Sequence, residues 1–260
     1  MGDTALITGA SSGIGLELAK IMAREAFDLI LVARRADKLS ELAQELTAKY
    51  SIKAHVIVAD LALAGASAKL FHDTEQRGLK VDVLVNNAGY GHWGKFLDFD
   101  PVDDTAMLQL NMVALTELSR LYGQGMRTRK HGRILNVAST AAFQPGPLMA
   151  TYFATKAYVL SLSEALANEL KPDGVTVTAL CPGPTISGFQ DRAKMHESRM
   201  LKVALATSES VAELGFAAMM RGKTVAITGV MNYVLANSIR LVPRNFATRV
   251  SRFISDRPGA

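Results

Sequence analysis

The sequence has a single cysteine, Cys181, among 260 residues. An intrachain disulfide is therefore excluded and a reducing, cytoplasmic setting is expected, with Cys181 read as a small buried apolar residue at the end of a strand. Long apolar runs are missing too. The stretch from Val225 to Ile239 is uncharged for 15 residues, but Thr228, Asn232, Asn237 and Ser238 interrupt it. It falls short of a bilayer span, so no integral membrane segment is expected. Met1-Gly2-Asp3 leads into an apolar strand with no basic stretch or cleavage site between, and no signal peptide is expected. His55 and His72 have no ligand spacing around them, which leaves no metal site. No low-complexity linker or repeat divides the chain, because the echo of Leu6-Ile7-Thr8-Gly9 in Ala226-Ile227-Thr228-Gly229 lacks the later glycines. One domain over 1–260 is the expected organisation.

Acidic residues are the minority, and the net charge is +5. Much of the excess lies in a basic tail, 240–260, where Arg240, Arg244, Arg249, Arg252 and Arg257 face only Asp256. A basic amphipathic tail suits a membrane surface or nucleic acid, but a solvated helix face or subunit contact is the preferred reading, with no nucleic-acid partner.

What is present begins with an ordinary globular composition, 49% hydrophobic and 20% charged. Thr4 to Thr8 is a short apolar β run that feeds Gly9-Ala10-Ser11-Ser12-Gly13-Ile14-Gly15, after which Leu18, Ile21 and Met22 take up helical spacing. A glycine turn between strand and helix lets the backbone approach a pyrophosphate, and the free amides of the helix N-terminus favour the anion. Gly9, Ser11, Ser12, Gly13, Ile14 and Gly15 are thus candidate cofactor-binding residues. The second run, Phe27 to Ala33, ends in Arg34-Arg35, where a dinucleotide fold faces the adenosine ribose. Arginines there pair with a 2′-phosphate, which favours NADP(H) over NAD(H); a solvated strand end is the alternative. Asp60, after the strand Ala54–Val58, can reach an adenine or cap a helix.

Val81 to Val85 ends in Asn86-Asn87-Ala88-Gly89, a tight turn that leaves room for a cofactor. Tyr90-Gly91-His92-Trp93-Gly94 either lines a substrate pocket or packs as a surface loop. Asn111 is a polar residue inside an apolar helical stretch, and a buried amide requires specific partners. The strand from Arg133 ends in Ser139, at the edge where doubly wound sheets hold ligands. In Thr151-Tyr152-Phe153-Ala154-Thr155-Lys156, a helix sets Tyr152 and Lys156 at i and i+4, roughly 5–6 Å apart. A phenol of pKa ~10 needs about 4 kcal/mol of help to ionise near pH 7, part of which a neighbouring ammonium can supply. Val175 to Leu180 leads to Cys181-Pro182-Gly183-Pro184. The segment 185–207 is irregular and is read as a substrate lid. Ser210-Val211-Ala212-Glu213 has the form of a capping box opening a helix to Met220, and Lys223 to Thr228 is the last strand. Alternating strands and helices predict an α/β fold: a Rossmann-type, doubly wound, mainly parallel seven-stranded sheet with helices on both faces.

Taken together, the chain resembles the short-chain dehydrogenase/reductase family over nearly its whole length. Thr8 to Gly15 matches the T-G-x-x-x-G-x-G cofactor motif and Asn86 to Gly89 the N-N-A-G motif. Asn111, Ser139, Tyr152 and Lys156 match four catalytic positions in order and spacing, and Pro182-Gly183 matches a P-G turn near the nicotinamide. One departure is Ser187, where the family often has a threonine that contacts the carboxamide. The resemblance implies an NADP(H)-dependent oxidoreductase acting on a carbonyl or secondary alcohol. Tyr152 would be the acid/base, Ser139 would orient the substrate oxygen, Lys156 would lower the tyrosine pKa and hold the ribose, and Asn111 would anchor a water. Asn86, Ala88, Gly89, Pro182, Gly183 and Ser187 would contact the cofactor along with Tyr152 and Lys156. Phe143, Met149, Phe189 and Met195 suggest a partly apolar substrate pocket, and a homodimer or homotetramer is expected. The rival readings are a non-catalytic NADP-binding sensor or scaffold, and a methyltransferase on a related fold.

Overall fold

A computed structural model describes residues 2–193, 195, 198–199 and 205–257. The strands are β1 (Thr4–Thr8), β2 (Asp28–Ala33), β3 (Ala54–Val58), β4 (Val83–Asn86), β5 (Gly132–Val137), β6 (Val175–Cys181), β7 (Thr185–Ile186), β8 (Ala206–Thr207) and β9 (Val225–Ile227). The helices are α1 (Gly13–Arg24), α2 (Ala36–Tyr50), α3 (Ala66–Gln76), α4 (Pro101–Leu108), α5 (Leu115–Arg129), α6 (Ala150–Leu170), α7 (Phe189–Ala193), α8 (Ser208–Met220), α9 (Val230–Ser238) and α10 (Arg244–Ser255).

Seven strands form one sheet in the order β3-β2-β1-β4-β5-β6-β9, and every pairing is parallel. Parallel strands covered on both faces need apolar side chains on both, which is why these segments read as continuous hydrophobic runs. Side chains alternate between two cores. Ala5, Ile7, Leu29, Leu31, Val83 and Val85 meet Leu18 and Met22 of α1 and Met219 of α8. Leu6, Ile30, Leu84 and Ile134 meet Leu118, Tyr122 and Met126 of α5 on the other face.

A chain of buried amides and hydroxyls runs through the second face. Asn86 Nδ2 donates to Ser119 Oγ at 3.0 Å and to Asn136 Oδ1 at 2.9 Å, and Asn136 Nδ2 donates to Ser163 Oγ at 2.9 Å. It links α5, β4, β5 and α6.

Three features differ from the sequence expectation. The helix expected to start at a Ser210–Glu213 box starts earlier, because Thr207 is its N-cap and accepts from Ser210 N at 3.1 Å; Glu213 pairs instead with Arg24 at 3.0 Å. The 185–207 segment is bracketed by a parallel pair, β7 with β8, and carries α7; the lid residues Lys194, Met200, Leu201 and Lys202 lie outside the described residues. The stretch around Asn111 is a π-helical turn, Gln109–Ala114, a form that recurs at functional sites.

Candidate active site

Strand order reverses between β1 and β4, which opens a crevice at their carboxyl ends. The glycine turn fills the β1 side. Gly9 (φ +68°) and Gly13 (φ +59°) adopt the left-handed backbone that only glycine takes cheaply. Thr8 Oγ1 accepts from Asn87 N and Ala88 N, both at 3.0 Å, and donates to Val85 O at 3.2 Å, tying the turn to β4. Ser12, the N-cap of α1, makes no side-chain bond to the first turn, which leaves those amides to an anion. Gly15 works by close packing. A Cβ there would stand 2.6 Å from Gly9 O and press on Asn87 Nδ2. Gly15→Ala is therefore expected to destabilise the fold by about 1–3 kcal/mol through overpacking, measurable as a lower urea midpoint.

Cations gather at the rim. Arg35 donates to Ser11 O and Ser11 Oγ, both at 3.1 Å. Arg34 is 53% exposed and only 3.8 Å from Asp60, so its guanidinium keeps donors for a ligand. Asp60 accepts from Ala62 N at 3.1 Å; it closes a turn and is not a helix cap, since Gly65 is the N-cap of α3. A third cation, Arg192, reaches in from α7 and stacks 3.9 Å above the Tyr90 ring. Burial first, then repulsion from Arg34, holds its pKa below the usual value. Sequence patterning gave Arg192 no distinction from other lid cations, because only the tertiary stack on Tyr90 brings it to the cavity.

At the far end α6 presents Tyr152 and Lys156. The Tyr152 ring lies 5.1 Å from the Phe189 ring, and a side chain at Gly91 would fall 2.9 Å from Tyr152 Cδ2. Lys156 Nζ donates to Val137 O at 2.7 Å and sits 5.7 Å from the phenol ring. Ser139 Oγ accepts from Ala141 N at 3.1 Å. Burial pushes the Tyr152 phenol up to about 12, opposed only by the Ser139 hydroxyl, and burial pulls the Lys156 ammonium down to about 8. The protein shell on its own favours the neutral forms of both groups. Beneath them Cys181 is free and buried, its thiol pushed up to about 12 mainly by burial.

Asn111 is buried, and its partners account for it. Its Oδ1 accepts from Tyr90 N at 3.1 Å, while Nδ2 donates to Tyr90 O at 2.9 Å and Thr155 Oγ1 at 3.1 Å. Oδ1 retains a lone pair. A Cβ on Gly89 would lie 3.0 Å from that oxygen and 3.6 Å from Lys156 Nζ, so the glycine leaves a gap between them.

One cavity of about 560 Å³ runs from Arg34 and Arg35 past the glycine turn to Ser139, Tyr152 and Lys156. Pro182, Gly183, Ala88 and Gly89 line it, as does Ser187, whose Oγ accepts from Phe189 N at 3.3 Å to cap α7. Three expected residues do not line it. Gly15 packs beneath the turn, Asn111 sits behind Tyr90, and Asn86 points into the sheet interior; its neighbour Asn87 faces the cavity, donating from Nδ2 to Thr8 O at 2.9 Å. Met149, Phe189 and Met195 form an apolar wall, whereas Phe143 packs beside Val159 and Leu160. At the opposite ends of the strands, Asp3, Asp82 and His131 could gather a cation, but Lys80 at 2.8 Å from Asp82 already supplies the charge.

A family model described as short chain dehydrogenase matches residues 3–198. The chain belongs to the short-chain dehydrogenase family. Among curated short-chain dehydrogenase relatives, a very-long-chain 3-oxoacyl-CoA reductase of Pyrenophora tritici-repentis is 39% identical over 182 residues, covering 68% of this chain and 53% of that protein. The chain spans between half and three-fifths of the length of the curated relatives it matches, 53% and 59% for the fungal and Anas platyrhynchos reductases. Solved structures match over more of their length. A short-chain dehydrogenase of Sphingobium yanoikuyae in complex with NADPH superposes with a TM-score of 0.83 at 30% identity, covering 92% of this chain and 93% of that one. L-sorbose reductase of Gluconobacter frateurii, complexed with NADPH and L-sorbose, gives 0.78 at 27% identity over 87% and 95%.

Proposed function

We propose that this protein is an NADP(H)-dependent oxidoreductase that interconverts a carbonyl and a secondary alcohol. The observation that carries this reading is the convergence of Tyr152, Ser139 and Lys156 on a cavity continuous with the glycine turn and the Arg34/Arg35 rim. The uncapped amides of α1 and the loosely paired Arg34 fit a pyrophosphate and a 2′-phosphate, and two family structures hold NADPH. The bound cofactor supplies or accepts hydride. The remaining chemistry belongs to the chain. Tyr152 donates its phenolic proton to the substrate oxygen in reduction and takes it back in oxidation. Ser139, beside the phenol, orients that oxygen and stabilises charge developing on it. Lys156 holds the ribose hydroxyls, and a water between Asn111 Oδ1 and Lys156 Nζ, in the gap left by Gly89, returns protons to the site.

The wall of Met149, Phe189 and Met195 selects a partly apolar carbonyl compound, covered by the 185–207 lid within one catalytic domain over 1–260. The free, buried Cys181 agrees with a cytoplasmic setting. Exposed Leu97, Val102, Leu108 and Val113 offer an apolar face for a homodimer. No helix among the described residues is long and apolar enough to cross a membrane.

The test is oxidation of NADPH and of NADH, followed by absorbance, across a panel of ketones, aldehydes and acyl thioesters. Turnover with NADPH is expected for at least one class. Arg34→Ala should weaken NADPH by about ten- to a hundredfold, the worth of a charged hydrogen-bond pair, and leave NADH nearly unchanged. Equal losses for both cofactors would remove the 2′-phosphate role.

A further inference from the structure

Helix α10 is built the wrong way round for a helix whose business ends at the protein core. Its inward face is made of small residues, Ala247, Ser251 and Ser255, while the bulky apolar residues Phe246, Val250, Phe253 and Ile254 stand 57%, 41%, 65% and 41% exposed. The exposed set falls at i, i+4, i+7 and i+8, one continuous stripe. Leu241, on the preceding turn, is 87% exposed. Arg244, Arg249 and Arg252 are exposed on the same helix, and no acidic residue lies between Arg244 and Ser255. Phenylalanines on one face and arginines on the polar face, with Arg252 alone of the three paired among the described residues, to Asp256 at 3.0 Å just past the helix end, are what an anionic lipid surface recognises.

We propose that α10 is an in-plane lipid-binding helix that seats the protein on an anionic membrane surface. Charge decides against the other occupants. A second copy docked through the same stripe about a two-fold axis would bring two arginine rims together, and nucleic acid would leave the phenylalanine stripe in water. The seat also holds the lid. Ser198 Oγ donates to Ser255 O at 3.2 Å, Arg199 N donates to Asp256 O at 3.1 Å, and Trp93 Nε1 donates to Ser255 O at 2.7 Å. The C-terminal end of α10 thus ties down the segment that carries Met195 over the cavity, and brings that end of the cavity close to the lipid surface.

The experiment is co-sedimentation of the full chain with vesicles of equal parts phosphatidylglycerol and phosphatidylcholine, beside vesicles of phosphatidylcholine alone. Binding to the anionic vesicles is expected, weakened by salt and about tenfold or more tighter than to phosphatidylcholine. Phe246→Ser combined with Val250→Ser should reduce it by about tenfold or more. Neither residue lines the cavity, so an unchanged thermal midpoint identifies a folded variant. Arg249→Glu, which leaves the apolar stripe intact, should weaken binding to the anionic vesicles alone. Three results would overturn the proposal: no sedimentation of the unaltered protein with anionic vesicles, equal binding to both vesicle types, or a dimer in light scattering that the double variant dissociates. Vesicle binding is read without turnover, so it stands or falls separately from the assigned activity.

Discussion

Tyr152→Phe is expected to lower kcat by about 10²–10⁴-fold, the usual worth of a positioned acid or base, with NADPH affinity kept. The phenyl ring retains the contact with Phe189 and the space left by Gly91, so folding is not at stake. Near-normal turnover would remove Tyr152 from the chemistry. The direction of the reaction is bound up with the same phenol. At a pKa of about 12, on the order of one phenol in 10⁵ is ionised at pH 7, so the group stands ready as an acid and poorly as a base. Carbonyl reduction should therefore run well at neutral pH, while alcohol oxidation should climb as pH rises. Stopped assays in both directions over pH 6–10 check this, and an oxidation rate independent of pH would contradict it.

The second large effect is on stability. Lys156 has its folded pKa at about 8 against an ordinary 10.5, so between those values the unfolded chain binds the proton that the folded one releases. Stability must then rise with pH across that window. The shift corresponds to about 3 kcal/mol, fully charged against the fold below pH 8 and relieved near pH 10.5. Lys156→Met cannot show this gain. The difference in urea-unfolding free energy between the unaltered protein and Lys156→Met should thus move by up to about 3 kcal/mol in favour of the unaltered protein from pH 7 to pH 10, while the variant loses turnover. A flat difference would mean that the ammonium is not desolvated. The site carries this cost for its function, a common trade at active centres.

Much of this arrangement is readable before any coordinates. Buried parallel strands announce themselves as apolar runs, and the glycine turn, Ser139 and the Tyr152/Lys156 spacing are fixed by local chain geometry. What escapes is set by distant partners. Thr207 takes the cap of α8 from Ser210, since Glu213 is drawn to Arg24, 189 residues away in the chain. Two-residue strands such as β7 and β8 carry no periodicity to detect. Asn86 and Asn87 are identical letters, yet strand alternation sends one into the sheet interior and the other to the cavity. The phenol pKa is a matter of enclosure by Phe189 and its neighbours, which a one-dimensional pattern of Tyr and Lys does not contain.

The amide chain from Ser119 through Asn86 and Asn136 to Ser163 has a meaning for how the chain finds this fold. It closes only when Asn86 pairs with Asn136 in the β4–β5 register and both α5 and α6 have docked. A strand slipped by one residue would turn these amides toward the wrong layer and strand them without partners. Ser163 lies on the same helix as Tyr152 and Lys156, so the acid/base pair is delivered to its cavity by a proofreading contact made on the same face of the sheet, about two turns further along α6.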